Sequence, residues 1–150
     1  MKRLLFALCA LCVSLCVLAQ DEVFRKYTEM GDVNTTYVSR GMLEQVPLDQ
    51  FNIPGLADIA RRIDNMTILV SRGDKAGKEM GNKLPSQLMR RGFEEKLNTK
   101  RDGTTARILQ SKRDPSNVVM VFYQKPHASV VRLKGDFSGG LEGLVPPAEE

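Results

Sequence analysis

Residues 93–137, FEEKLNTKRDGTTARILQSKRDPSNVVMVFYQKPHASVVRLKGDF, carry the pattern that decides the fold class. β-Branched and aromatic side chains recur there with a period of two, the spacing at which a pleated strand presents one face. Four strand-like segments, 93–101, 104–112, 118–124 and 129–137, are separated by turn chemistry. Asp102-Gly103 suits a tight type I′ hairpin, Asp114-Pro115-Ser116-Asn117 a longer turn, and Lys125-Pro126-His127 a third. Connections this short predict an antiparallel meander. In the last segment Val131, Leu133 and Phe137 alternate with Arg132, Lys134 and Asp136, which predicts one buried face, one wet face and a sheet needing cover on one side only.

Toward the N-terminus the period lengthens. Asp74 stands as N-cap of a helical stretch with Ala76, Met80, Leu84 and Leu88 along one stripe. Pro85 must kink or split that stretch, because it has no N–H and crowds the carbonyl four residues earlier; Gly92 ends it. Residues 66–71 are an apolar run of strand length. Before them, Asn52 can cap a helix whose Leu56, Ile59, Ala60 and Ile63 fall on one face, the clearest helical pattern in the chain. Residues 33–39 are β-branched and aromatic and read as a strand. Val23, Phe24, Tyr27 and Met30 mark a short amphipathic helix. The expected class is therefore α+β: a predominantly antiparallel sheet with a C-terminal four-stranded meander, helices packed on one face, and the strands near Tyr37 and Leu69 joining the same sheet.

The chain has 150 residues, 42% of them hydrophobic, which suits one globular domain and excludes a wholly disordered chain. Lys2 and Arg3 precede an apolar stretch from 4 to 19 that is interrupted only by Ser14, the pattern of a secretory signal peptide. That stretch is shorter than the ~20 residues a membrane-spanning helix needs, and Asp21 and Glu22 stand where a stop-transfer flank would be basic. Val17-Leu18-Ala19 places cleavage between Ala19 and Gln20. Cys9, Cys12 and Cys16 each follow a Leu, whereas lipidation wants a small residue there. The expected product is exported to the periplasm or outer envelope, is not lipidated and has no Cys. It comprises one domain, 20–137, and a flexible tail, 138–150, rich in Gly and Pro.

The expected mature chain retains one His and no Cys, so most metal and nucleophile constellations lack their raw materials. Gly73-Asp74-Lys75-Ala76-Gly77-Lys78 resembles a phosphate loop only superficially: three residues separate the glycines instead of four, and Glu79 replaces the magnesium-binding hydroxyl. Arg72-Gly73-Asp74 spells an adhesion tripeptide, but an Asp used as a helix cap would be poorly presented. His127 reads as a solvated turn residue. Glu94 and Glu95 are adjacent in a strand and point to opposite faces, so they cannot flank one bond. No catalytic, cofactor-binding or metal-ligating residue is assigned, and no cofactor is expected.

Charge is unevenly distributed. Residues 21–71 carry 5 basic and 8 acidic side chains, whereas residues 72–113 carry 12 basic and 5 acidic. Within the basic segment Arg90, Arg91, Lys112 and Arg113 should gather at one end of the first long hairpin and Lys100 and Arg101 at the other. These pairs are weak candidates for contact with an anionic surface. Solvated hairpin ends that oppose edge aggregation explain them more simply, so little retention on anionic vesicles or polysaccharide is expected at physiological salt. Nucleic acid is disfavoured by export and by the absence of aromatic side chains among the basic residues.

Four blocks taken together, Tyr37-Val38-Ser39-Arg40-Gly41-Met42-Leu43, Ile68-Leu69-Val70-Ser71, Gly92-Phe93-Glu94-Glu95-Lys96-Leu97 and Val131-Arg132-Leu133-Lys134-Gly135-Asp136-Phe137, resemble the domain-of-unknown-function family 4252. That family comprises small exported proteins of Bacteroidetes-type bacteria, and the resemblance runs over roughly residues 22–137. Lys96 departs from it, standing where the family tends to be apolar. No enzymatic role is established for the family, so the resemblance transfers no catalytic residue. Some members occur beside extracytoplasmic-function sigma factors, which implies envelope-stress or regulatory roles. The expected function is an exported, non-catalytic envelope protein acting through contacts with an envelope protein. The alternatives are an exported hydrolase with an unrecognised site and a binder of anionic polymer or membrane surface.

Overall fold

The computed structural model describes residues 22–51, 56–137 and 141. The expected signal segment, the expected Ala19–Gln20 cleavage point, Asn52 and all of the expected 138–150 tail except Leu141 lie outside the described residues.

The strands are β1 (Val33–Ser39), β2 (Ile63–Ser71), β3 (Phe93–Arg101), β4 (Thr104–Ser111), β5 (Asn117–Gln124) and β6 (His127–Gly135). They form one antiparallel sheet in the order β1-β2-β6-β5-β4-β3. The last four are the expected meander, and β6 returns beside β2, so the two upstream strands extend the same sheet. Asp102 (φ 52°) and Gly103 (φ 80°) both take the left-handed backbone that a type I′ turn requires. β6 is shifted two residues from the expected 129–137. Gln124 pairs with His127 across a two-residue turn whose Lys125–Pro126 bond is cis, and Asp136 leaves the sheet to donate its N–H to the Arg62 carbonyl at 2.8 Å. Lys96 is the extra residue of a β-bulge between Glu95 and Leu97. Its ammonium lies 3.2 Å from Glu94, so the departure from an apolar residue leaves no buried charge.

The helices are α1 (22–28), α2 (Arg40–Gln45), α3 (Leu56–Ile59), α4 (Asp74–Lys78) and α5 (Leu84–Arg90). The last two are one continuous helical segment joined by a π-helical turn at Glu79–Lys83. That turn answers the Pro85 problem: Leu84 N–H reaches back to the Glu79 carbonyl, and the widened backbone accommodates the proline ring. Ala76, Met80, Leu84 and Leu88 are fully buried, as their spacing requires. The N-cap is Gly73, not Asp74. Gly73 is extended and its carbonyl accepts the Gly77 N–H at 3.0 Å, while Asp74 is already the first helical residue.

The strongest helical pattern in the sequence does not stay helical to its end. Among its described residues, Leu56–Ile59 is α-helical, a 3₁₀ turn covers Ala60–Arg62, and Ile63 opens β2. Leu56, Ile59 and Ile63 are all buried, but the sheet captures the last of them by pairing Ile63 with Gly135. A continued helix would forfeit that pairing and the bond from Asp136.

The expectation of one wet sheet face is also corrected. Alternate residues of the central strands enter two separate buried clusters. Leu69, Val119, Val121 and Val130 pack with α1 and the α4–α5 segment, whereas Met66, Val118, Met120, Val131 and Leu133 pack with Leu43, Leu56, Ile59, Phe137 and Leu141. The longer helical segment thus lies on one face, and shorter elements with the chain after β6 close the other. Arg132 belongs to the face with the longer helices and lays its guanidinium 4.4 Å from the Phe24 ring centroid, so a charged side chain covers apolar surface there. Buried polar groups tie the layers together. The Gln110 amide donates to the Pro115 carbonyl at 2.9 Å and the Phe137 carbonyl at 3.1 Å, and Ser71 Oγ accepts the Ala128 N–H at 2.9 Å.

Candidate functional site

α1 and α5 lie together because Val23, Phe24 and Tyr27 of the first and Leu84 and Leu88 of the second enter the same cluster. Tyr27, fully buried, donates its hydroxyl to Gln87 Oε1 at 3.0 Å. Burial pushes the Tyr27 hydroxyl pKa up to about 12, and the Glu79 carboxylate adds to the rise. Beside this tie opens a cleft of about 320 Å³ lined by Glu22, Val23, Lys26, Gln87, Arg90 and Arg91. Lys26, Arg90 and Arg91 face it with a single carboxylate, Glu22, among the lining residues.

The basic residues reach the cleft for local reasons. Lys26 lies on the exposed side of α1, with its ammonium 5.9 Å from the Tyr27 ring centroid. Arg90 occupies the last turn of α5, where the free carbonyl ends favour a cation. Gly92 (φ 94°) then turns the chain into β3, and its carbonyl accepts the Lys112 N–H at 3.0 Å. That bond brings exposed Lys112 and Arg113 to the same end of the molecule. Lys100 and Arg101 sit at the far end of β3, ~27 Å away by strand rise, where Arg101 faces Thr104 and lies 4.0 Å from the Asp102 carboxylate. The two basic spots are separate, as the hairpin geometry requires, and the one at Arg90 and Arg91 borders a cleft.

Sequence reasoning missed Lys26 and Gln87. The pair Tyr27–Gln87 spans 60 positions, and nothing local announces it. The one available signal was that Lys26 lies on the polar side of an amphipathic helix. A second cleft, about 370 Å³, lies between α2 and α3 and is lined by Arg40, Leu43, Glu44, Leu48, Ala57, Ala60 and Arg61. Its charges are mixed, with Glu44 beside the two arginines.

Two structural readings of the remaining motifs are corrected: Asp74 is the first helical residue, not the cap, and is exposed, and His127 opens β6 instead of lying in the turn. Gly77 is not a phosphate cradle, since a Cβ there would stand 1.8 Å from the Pro126 carbonyl oxygen. Asp74 of the Arg72-Gly73-Asp74 tripeptide is held in the first turn of α4. His127 is exposed. Glu95 pairs with Arg107, whose Nε lies at 2.7 Å, while Glu94 pairs with Lys96. Among the described residues no group of three or more His, Cys, Asp or Glu could hold a metal ion, and no helix is long and apolar enough to cross a membrane. Comparison with known protein families, with curated proteins and with solved structures finds no match.

Proposed function

We propose that this chain is an exported, non-catalytic cell-envelope protein that acts through protein contacts, in envelope-stress or regulatory signalling, and that it receives an acidic segment of its partner in the α1–α5 cleft. The observation that carries the reading is the convergence of Lys26, Arg90 and Arg91 on one cleft from elements far apart in sequence. Lys112 and Arg113 extend the positive surface beyond it. The signal-like N-terminus and the resemblance to exported proteins of family 4252 supply the compartment in this reading. Three cations around a concave surface attract carboxylates at long range and pair with them at short range. A cleft of this size admits a few side chains of a peptide.

The test is affinity capture from envelope extracts with the wild-type protein and with a Lys26→Gln, Arg90→Gln, Arg91→Gln variant. A partner with an acidic segment, held by the wild type, lost by the variant and released by moderate salt, supports the reading. Exposed charges are screened over a Debye length of about 8 to 10 Å, so salt sensitivity is required. Equal capture by both proteins overturns the assignment of the cleft. Retention on anionic vesicles or polysaccharide that the variant abolishes would replace the protein partner with an envelope surface.

A further inference from the structure

The two edges of the sheet are unlike each other. β3, at one edge, carries Glu94, Glu95, Lys96, Lys100 and Arg101 and a β-bulge, the devices that discourage strand addition. β1, at the other, has none of them. Its seven residues, Val33–Ser39, include no charge and no proline, pair with β2 in unbroken register, and leave Asn34, Thr35, Thr36 and Tyr37 exposed, Tyr37 by 58%. The Asp32 carbonyl accepts the Arg72 N–H at 2.6 Å, so Asp32 turns its backbone toward β2. By the alternation of an antiparallel ladder, the N–H and C=O groups of Thr35 and Tyr37 then face outward.

The charges nearest this strand are Asp32 and Arg40, of opposite sign and each four positions from Thr36. An antiparallel pairing of two copies about a twofold axis at Thr36 sets Asp32 of each against Arg40 of the other. It also makes Thr35 and Tyr37 exchange paired N–H···O bonds across the axis and lays each Tyr37 ring beside a threonine. Registers displaced by two residues keep the backbone bonds but lose both ion pairs. The geometry points to a homodimer formed by β1 pairing with β1 of a second copy, in the register centred on Thr36. Arg40 is available for this, since its present contact with Asp64 is long (3.5 Å) and exposed on both sides.

Sedimentation of the purified protein should give a dimer, and Thr36→Lys, which sets two ammonium groups together at the axis, should give a folded monomer whose melting temperature no longer rises with protein concentration. Asp32→Arg should raise the dimer Kd about tenfold, and adding Arg40→Asp should restore it. In a chain whose Cys9, Cys12 and Cys16 are Ser, Thr36→Cys should cross-link to itself on mild oxidation, because facing residues at a non-hydrogen-bonded site lie within disulfide reach. Asn34→Cys faces Val38 in this register and should not cross-link. A monomer at high micromolar concentration, a dimer indifferent to Thr36→Lys, or cross-linking through Asn34→Cys in preference to Thr36→Cys would each overturn the proposal; the first would leave the edge for a strand of another protein.

Discussion

Gly77 and Gly135 lie where backbone from another element takes the place of a side chain. A Cβ on Gly77 would stand 1.8 Å from the Pro126 carbonyl oxygen, and one on Gly135 would stand 2.0 Å from the Arg62 carbonyl oxygen. Alanine normally favours a helix over glycine by about 1 kcal/mol, but at position 77 the sign reverses because a carbonyl cannot swing aside as a side-chain tip can. Gly77→Ala and Gly135→Ala should each destabilise by about 3 kcal/mol or more, read as a lower denaturant midpoint. Tyr27 gives a pH-dependent test. Its folded pKa of about 12 lies above its ordinary 10.0, so the folded state holds the proton more tightly than the unfolded chain. The resulting stability is fully present below pH 10 and is lost as the pH rises through 12. Tyr27→Phe should cost about 1 kcal/mol at neutral pH through the lost bond to Gln87, and should make stability fall less steeply across that alkaline window. Equal alkaline slopes in urea titrations of the two proteins would refute the assignment.

At the scale of elements, the β3–β4 hairpin isolates backbone conformation from packing. Gly103 has φ 80°, yet a Cβ there would meet nothing within 4 Å. Gly103→Ala should therefore cost only the conformational term, about 1 to 2 kcal/mol, and should leave the fold intact by circular dichroism. The α4–α5 segment shows a proline tolerated inside a helix by a local change of pitch. The π-helical turn places Met80, Leu84 and Leu88 on one buried stripe while sparing the backbone a clash at Pro85. The segment at 56–63 shows the converse, a helical pattern overridden when its last apolar residue gains more as the first residue of a strand.

For the whole molecule, sheet order sets the order of local stability. β5 and β6 are interior strands buried on both faces, β3 closes one edge, and β1 the other. Amides of Val119, Val121, Val130 and Val131 should exchange only by global unfolding, with Asn98 and Thr99 on the β3 edge exchanging orders of magnitude sooner. Uniform protection across the sheet would contradict the two-layer core.

Periodicity and turn chemistry by themselves determined the α+β class, the four-stranded meander, the stripe from Ala76 to Leu88 and the separation of the two basic spots, because each depends on contacts between residues close in sequence. The type I′ signal at Asp102-Gly103 set the hairpin register, and the register alone placed Lys100 and Arg101 away from Arg90 and Arg91. Tertiary structure decided what depends on distant partners. Ile63 became a strand residue because Gly135 pairs with it, and the face of β6 that alternation gives to Arg132 came to be covered by Phe24 of a helix distant in sequence. Lys26 met Arg90 and Arg91 only because Tyr27 and Leu88 share one apolar cluster. The physical reason is that local pattern reports which face of an element seeks burial, whereas the identity of what buries it is settled only when all the faces compete for the same interior.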